Sequence, residues 1–122
     1  MRYDDLMSLP YEDFGRVGKT KGVDCYGLVL ECCRRNGKPL KDIVYDSPKI
    51  DNDKTGLFYR DLNVEEITFE EIKRGDLLQC SFDGNLHIAF ILSKECVINA
   101  TTSGVRVSPI SAFSNKKYLR IK

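Results

Sequence analysis

The chain has 122 residues, a length that suits one domain with one modest core, so we expect a single domain over residues 1–122. Nineteen basic and 18 acidic side chains give a net charge of +1, and neither sign gathers into a block. The charge pattern therefore predicts no nucleic-acid partner and no binding to an anionic membrane surface. No apolar run approaches the roughly 20 residues that a bilayer-spanning helix needs, so no membrane span is expected.

The amino terminus lacks the apolar core of a secretory signal, so we expect synthesis in the cytoplasm without a signal peptide. Five cysteines, at positions 25, 32, 33, 80 and 96, are an odd number and contain no C-x-x-C pair. Reduced thiols are therefore expected, and no metal site is indicated. We expect no metal and no organic cofactor.

In chain order, a short helical pattern over Tyr3–Leu9 is followed by a loop with several glycines, which leads to Cys25. From Cys25 to Asn36 the apolar positions 25, 28, 29, 32 and 33 fall on one side of a helix. Asn36 and Gly37 supply a stop signal. The pattern predicts an amphipathic helix that begins at Cys25.

The remaining chain predicts a polar loop and then strands. Residues 41–65 are polar and are expected to form a loop with one helical turn, and Thr68–Glu71 has the pattern of a capping box. Five β-prone runs follow: Leu77–Phe82, Leu86–Leu92, Cys96–Ala100, Val105–Val107 and Tyr118–Ile121. Helices first and strands after predict an α+β fold, with N-terminal helices packed on a small antiparallel β-sheet.

Cys25, His87 and Asn99 occur in the order that a cysteine hydrolase would need. If residues 93–95 form the turn of a hairpin, Ala89 pairs with Asn99. His87 and Asn99 then share a face as diagonal neighbours, about 7 to 8 Å apart at the backbone, and the amide oxygen can reach the imidazole. A shift of one residue in the register would send Asn99 to the opposite face.

The chemistry assigns each of these residue types a separate task. A helix amino terminus and a neighbouring imidazolium both favour a thiolate, so we expect the pKa of Cys25 to be lowered from about 8.5. His87 would protonate the leaving amine, and Asn99 would orient the imidazole. Each residue taken alone also has a structural interpretation: a core thiol, a satisfied core histidine and an edge or turn asparagine.

Five segments carry a resemblance to a known family: Gly22–Val29, Lys73–Leu78, His87–Ile91, Val97–Ala100 and Gly104–Val107. In content, order and coverage of the chain they resemble the NlpC/P60 peptidases. The resemblance implies a papain-like fold and a peptidoglycan substrate, cut between D-isoglutamate and the diamino acid of the stem peptide. It implies that Cys25 is the nucleophile, that His87 is the acid and base, and that Asn99 orients His87 where the family often has histidine.

The resemblance also makes Tyr11 and Asp24 candidates for binding the substrate or stabilising the oxyanion. Tyr11 matches a family Pro-Tyr segment whose tyrosine lies beside the nucleophile, and simple packing is the alternative for this residue. The polar segment Asp42–Asp61 is the candidate for a loop that bounds the substrate, because of its length and polarity.

The segments Gly22–Val29 and Glu31–Gly37 resemble domains of phage tail modules more than secreted autolysins. This implies phage tail proteins as partners and delivery to the cell wall within a tail. Two other functions stay open. One is a papain-like amidase or acyltransferase with a substrate outside the wall, and the other is a non-catalytic wall-binding or tail structural module.

Overall fold

A computed structural model of the chain describes residues 1–43, 50–51, 62–82 and 84–122. These residues contain one α-helix, α1 (Cys25–Arg35), and short 3-10 helices at Asp4–Ser8, Phe69–Glu71 and Ile110–Ala112. The described strands are β1 (Ile50–Asp51), β2 (Val64–Ile67), β3 (Leu77–Phe82), β4 (Asn85–Ile91), β5 (Cys96–Thr101), β6 (Gly104–Pro109) and β7 (Ser114–Ile121). The predicted α+β class is confirmed.

The strands form one antiparallel sheet in the order β2-β7-β3-β4-β5-β6, and β1 adds to β4 beside this path. The central strands β3 and β4 are buried over nearly their whole length, as their apolar sequences require. Side chains alternate between the two faces of a strand, so Ile88 and Phe90 point to one face of β4, and His87 and Ala89 point to the other.

Helix α1 covers one face of this sheet. Its apolar stripe (Leu28, Val29, Cys32 and Cys33) is fully buried in a cluster with Ile88 and Phe90 of β4 and Ile98 of β5. A second, smaller cluster on the other face contains Ala89, Ile91 and Phe113. The sheet therefore has apolar packing on both faces, and α1 holds its first residue, Cys25, against β4.

One edge of β4 is shared by two strands. The opposite edge pairs with β3 over residues 85–90. On the second edge, β1 pairs with residues 85–86 and β5 pairs with residues 90–91. In the register of the described strands, the ladder of β1 reaches Leu86 and that of β5 reaches Phe90.

Most predicted elements are confirmed, with small shifts at their ends. The helix predicted over Cys25–Asn36 is α1, and the five predicted strands are β3 to β7. The capping box at Thr68 is present, since the Thr68 N–H donates to the Glu71 carboxylate at 3.1 Å. The helical pattern over Tyr3–Leu9 corresponds to a 3-10 helix rather than an α-helix.

The loop predicted over residues 41–65 is wrong at two places, because residues 50–51 form β1, which pairs with β4, and the end of the segment belongs to β2. Residues 64–67 form β2, an edge strand that pairs with β7 and exposes Glu65 and Glu66. Residues 44–49 and 52–61, which hold most of the predicted substrate-bounding loop Asp42–Asp61, lie outside the described residues. None of the helices that the structure describes has the length and apolarity to cross a bilayer.

Candidate active site

The loop that leads to Cys25 is held by pairing between its two ends. The Glu12 N–H donates to the Val23 carbonyl and the Val23 N–H donates to the Pro10 carbonyl, both at 3.0 Å. Tyr11 and Val23 thereby form a parallel bridge. Val23 lies two residues before Cys25, so this pairing holds Tyr11 close to the start of α1.

Glycines let this loop pack directly on the first turn of α1. A Cβ atom on Gly27 would lie 2.0 Å from the Gly15 carbonyl oxygen, and one on Gly15 would lie 2.2 Å from the Gly22 carbonyl oxygen. Both distances are far below van der Waals contact. Backbone therefore touches backbone at these positions, and a side chain at either position would push the loop away from the helix.

Asp24 starts α1 as its N-cap residue. Its Oδ1 accepts hydrogen bonds from the Gly27 N–H at 2.7 Å and from Arg16 at 3.2 Å, and its Oδ2 accepts one from the Phe14 N–H at 3.1 Å. The side chain is 1% exposed. The carboxylate therefore holds the first turn of α1, which begins at Cys25, while the role predicted for Asp24 in binding the substrate or the oxyanion stays a prediction.

The Arg16 side chain connects the loop, the start of α1 and the segment after α1 through its hydrogen bonds. Its guanidinium donates to the Gly15 carbonyl at 2.8 Å and to Asp24, and it donates to both oxygens of Asp42 at 3.2 and 3.3 Å. Its central carbon also lies 5.8 Å from the centre of the Tyr26 ring. Arg16 is thus the cation that neutralises the buried Asp24 carboxylate beside the first turn of α1.

Cys25 is half-buried at the amino terminus of α1. Burial and the nearby charge of Asp24 raise the pKa of its thiol to about 11, although the backbone N–H groups of Ile88, Tyr26 and Cys25 itself act in the opposite direction. The expected lowering of this pKa is therefore wrong for the resting protein. The thiol keeps its proton at neutral pH until a base removes it.

Replacing Asp24 by asparagine is expected to lower the pKa of Cys25, because it removes the charge that disfavours the thiolate. The pH at which Cys25 becomes half-alkylated in a fixed time should move to lower values. The same change should lower the free energy of unfolding by about 2 kcal/mol, since an amide NH₂ would face a backbone donor and Arg16 would lose a buried partner.

Iodoacetamide kinetics against pH, read at Cys25 by mass spectrometry, and urea unfolding measure the two effects. Asp42→Asn is the matched control, because Asp42 is the exposed second partner of Arg16 and carries the same charge. An equal shift of the Cys25 profile in both variants would contradict the assignment to Asp24.

His87 and Asn99 lie together, as the hairpin register predicts. The His87 Nε2 atom is 2.8 Å from the Asn99 Oδ1 atom, and both residues are buried. The Asn99 NH₂ group donates to the Arg106 carbonyl at 3.1 Å and to the Ser108 hydroxyl at 3.0 Å. Because the NH₂ group is used on that side, Oδ1 faces the ring and accepts the Nε2 proton, so in the neutral ring Nδ1 carries the lone pair.

Two aromatic rings enclose the imidazole. Phe113 stacks on His87 with ring centres 5.8 Å apart and an angle of 20° between the planes, and Phe82 lies 5.4 Å away at 34°. The rings keep water from the hydrogen bond between His87 and Asn99, which strengthens that bond. They also restrict rotation of the imidazole.

Cys25 lies against the backbone of β4 at Ile88, and Tyr11 lies near Cys25. The backbone N–H of Ile88, the residue after His87, favours the Cys25 thiolate. Burial, the charge of a Cys25 thiolate and a hydrogen bond to the Asp13 side chain raise the pKa of the Tyr11 phenol, so its hydroxyl stays protonated. The structure thus brings the predicted residues Tyr11, Cys25, His87 and Asn99 to one region, with Asp24 behind them.

None of the other four cysteines lies at the amino terminus of a helix. Burial raises the pKa of Cys32, Cys33 and Cys80 to about 12. Cys96 is half-buried near Ser93, with 3.5 Å between its Sγ and the serine Oγ. All five thiols are free, and no group of His, Cys, Asp and Glu side chains in the described part of the chain is arranged to hold a metal ion.

A cysteine at a helix amino terminus, with a buried histidine bound to asparagine on an α+β scaffold, defines a candidate centre for thiol chemistry. The sequence model of the NlpC/P60 family matches residues 10–122, and the chain belongs to this family. Its members are typically cysteine hydrolases, and the family is associated with cell-wall peptidase or amidase activity. No curated protein matches the sequence.

Sequence reasoning missed Arg16, Ser108 and the two phenylalanines around His87. Arg16 and Ser108 bind residues that are eight and nine positions away in the sequence, so no helical or strand period marks them. The phenylalanines sit in runs that read as ordinary strand or core sequence. A signal for Ser108 exists only once the register of β5 on β6 is known.

Proposed function

We propose that the chain is a papain-like cysteine peptidase that cuts peptidoglycan stem peptides between D-isoglutamate and the diamino acid. The observation that carries the proposal is the buried 2.8 Å hydrogen bond between His87 and Asn99, on a strand whose next residue, Ile88, has its backbone N–H directed at the helix-borne Cys25. Membership of the NlpC/P60 family supports the choice of a cell-wall substrate. The choice of the bond after D-isoglutamate and the papain-like assignment rest on the resemblance of the sequence motifs to those of the family.

The first half of the proposed reaction forms a thioester. His87 Nδ1 takes the proton of the Cys25 thiol as the sulfur attacks the scissile carbonyl carbon, and a C–S bond forms. The backbone N–H of Cys25 and the Tyr11 hydroxyl donate to the developing oxyanion. His87 then gives its proton to the amine nitrogen, the C–N bond breaks, and the amine leaves.

The second half releases the acid. His87 takes a proton from a water molecule, whose oxygen attacks the thioester carbonyl carbon. The C–S bond breaks and the sulfur regains a proton, which leaves a free carboxylic acid and the Cys25 thiol. Each proton is passed among Cys25, His87, water and the substrate, so the proposed steps use no metal and no organic cofactor.

The raised pKa of the Cys25 thiol fits a mechanism in which proton transfer accompanies the attack. Asn99 holds the Nε2 proton, so Nδ1 is always the nitrogen that receives the proton from sulfur. The positive charge that His87 then carries is stabilised by the amide oxygen of Asn99. The carboxylate of Asp24 is neutralised by Arg16, which limits its opposition to the thiolate.

The test is cleavage of defined stem-peptide fragments, followed by mass spectrometry. Two fragments are needed, one with lysine and one with diaminopimelate after D-isoglutamate, together with control peptides in which an α-linked L-glutamate replaces the D-isoglutamate. Cleavage of a native fragment at the bond after D-isoglutamate, without cleavage of its control, is the expected result. If no fragment is cut although an electrophilic probe labels Cys25, the substrate lies outside the wall; if Cys25 also stays unlabelled, the chain is a non-catalytic module.

Delivery within a phage tail, with tail proteins as partners, is a second part of the proposal. Its support is the resemblance of Gly22–Val29 and Glu31–Gly37 to tail-module domains. Mass spectrometry of purified phage particles should then find the chain in the particle. Its presence only in the host fraction would contradict this part without affecting the proposed chemistry.

A further inference from the structure

We propose that Ser108 is a positioning residue of the candidate active site: its hydroxyl holds the Asn99 amide in the orientation that keeps the proton of His87 on Nε2. The proposal concerns the proton on His87, and only its consequence for turnover rests on the proposed function. Ser108 contacts neither Cys25 nor the imidazole in any hydrogen bond described above, so it acts through Asn99.

The register of the sheet places Ser108 beside the amide. Asn99 of β5 pairs with Arg106 of β6, and Ser108 lies two residues further along β6, so its side chain is on the same face. The Asn99 NH₂ group donates to the Arg106 carbonyl at 3.1 Å and to the Ser108 Oγ at 3.0 Å. Asn99 is 0% exposed, so water does not compete for these donors.

The amide needs both acceptors to keep one orientation. A buried NH₂ group has two protons, and each proton that lacks an acceptor costs free energy. The Arg106 carbonyl accepts one proton, and the Ser108 hydroxyl accepts the other. Without the hydroxyl, the amide can turn about its Cβ–Cγ bond to find water or another acceptor, and Oδ1 then leaves the line to His87.

The orientation of Asn99 decides which ring nitrogen of His87 is protonated. Oδ1 has no proton to give, so it can face only a protonated Nε2. Hydrogen bonds to the NH₂ group also polarise the amide and make its oxygen a stronger acceptor. When Oδ1 turns away, the Nδ1–H form of the neutral ring gains population, and in that form the nitrogen that must take the thiol proton is already occupied.

The chain suits a direct test because His87 is its one histidine. In ¹⁵N-labelled full-length protein, the chemical shifts of the two ring nitrogens report the tautomer without ambiguity. Ser108→Thr and Ser108→Val form a matched pair, because they differ only in a hydroxyl and a methyl group and both suit a half-buried strand position. Ser103→Ala, in the exposed turn between β5 and β6, is the control for a lost serine hydroxyl.

Ser108→Thr and Ser103→Ala should keep the Nε2–H form, whereas Ser108→Val and Ser108→Ala should raise the Nδ1–H form several-fold. In the cleavage assay, kcat of the valine variant should fall about tenfold relative to the threonine variant, with KM unchanged. Near-ultraviolet circular dichroism of each variant checks that it is folded, and Ser108→Ala serves if the valine variant is not.

An unchanged tautomer in folded Ser108→Val or Ser108→Ala protein overturns the proposal, whatever happens to the activity. Equal loss of the Nε2–H form in Ser108→Thr and Ser108→Val overturns it too, since the hydroxyl would then not be the cause. If the tautomer changes as expected but no variant and no native chain cuts a stem peptide, the positioning role stands and the proposed function fails.

Discussion

Replacement of Cys25 by alanine is expected to abolish hydrolysis of stem peptides, with a loss of kcat/KM on the order of 10³-fold or more. The variant keeps the binding surface but has no sulfur to form the thioester. The neighbouring backbone donors of Ile88 and Tyr26, which now favour the thiolate, would have no anion to stabilise. Initial rates of fragment cleavage, measured by chromatography at equal protein concentration, give the ratio.

The matched control is Cys96→Ala, because Cys96 is the other half-buried thiol and lies at the start of β5. This variant should keep the rate of the native chain within about twofold, since the change is small and distant from His87. Thermal unfolding checks that both variants are folded. Residual turnover of a tenth or more in Cys25→Ala would mean that another group attacks the substrate.

The start of the candidate site could be predicted from local sequence. Cys25, Leu28, Val29 and Cys32 repeat at the helical period, and Asp24 is a favoured N-cap residue, so the helix and its first residue follow from short-range rules. A helix amino terminus is set by its own residues and needs little help from the rest of the fold. The prediction of α1 was therefore accurate to one residue.

The contact between His87 and Asn99 could be predicted because the two residues lie on the two strands of one hairpin, and the length of its turn sets which residues face each other. The short turn at residues 93–95 fixes the register, and the Leu92 N–H indeed donates to the Cys96 carbonyl at 3.0 Å. The ladder of β4 with β5 ends at Phe90, so Ala89 and Asn99 are not bonded as a pair. The side chains of His87 and Asn99 still meet, since the register sets their face.

The environment of the site could not be predicted in this way. The pKa of Cys25 depends on how much water the folded chain excludes and on how near the charge of Asp24 lies, and neither quantity is written in a motif. Strand β2 was missed because its pairing partner, β7, is about fifty residues away and its exposed Glu65 and Glu66 favour a loop. Burial and long-range pairing arise only from the assembled fold.

Replacing Gly27 by alanine is expected to lower the free energy of unfolding by about 3 kcal/mol, measured by urea denaturation. Helix propensity alone predicts the opposite sign, because alanine is favoured over glycine in a helix by up to about 1 kcal/mol. The new Cβ atom, however, would lie 2.0 Å from the Gly15 carbonyl oxygen, which is backbone and cannot rotate away. The sign of the change therefore separates the backbone contact from propensity.

Gly18→Ala provides the matched control, because Gly18 lies in the same loop and a Cβ there meets nothing within 4 Å. Its positive φ of 84° should cost about 1 kcal/mol through backbone strain alone. If Gly27→Ala costs no more than Gly18→Ala, the loop yields easily and its contact with α1 does not hold the site together. If it costs more, the folded fraction of Gly27→Ala should also show a lower kcat, because the loop that moves away from α1 carries Tyr11 and the Arg16 partner of Asp24.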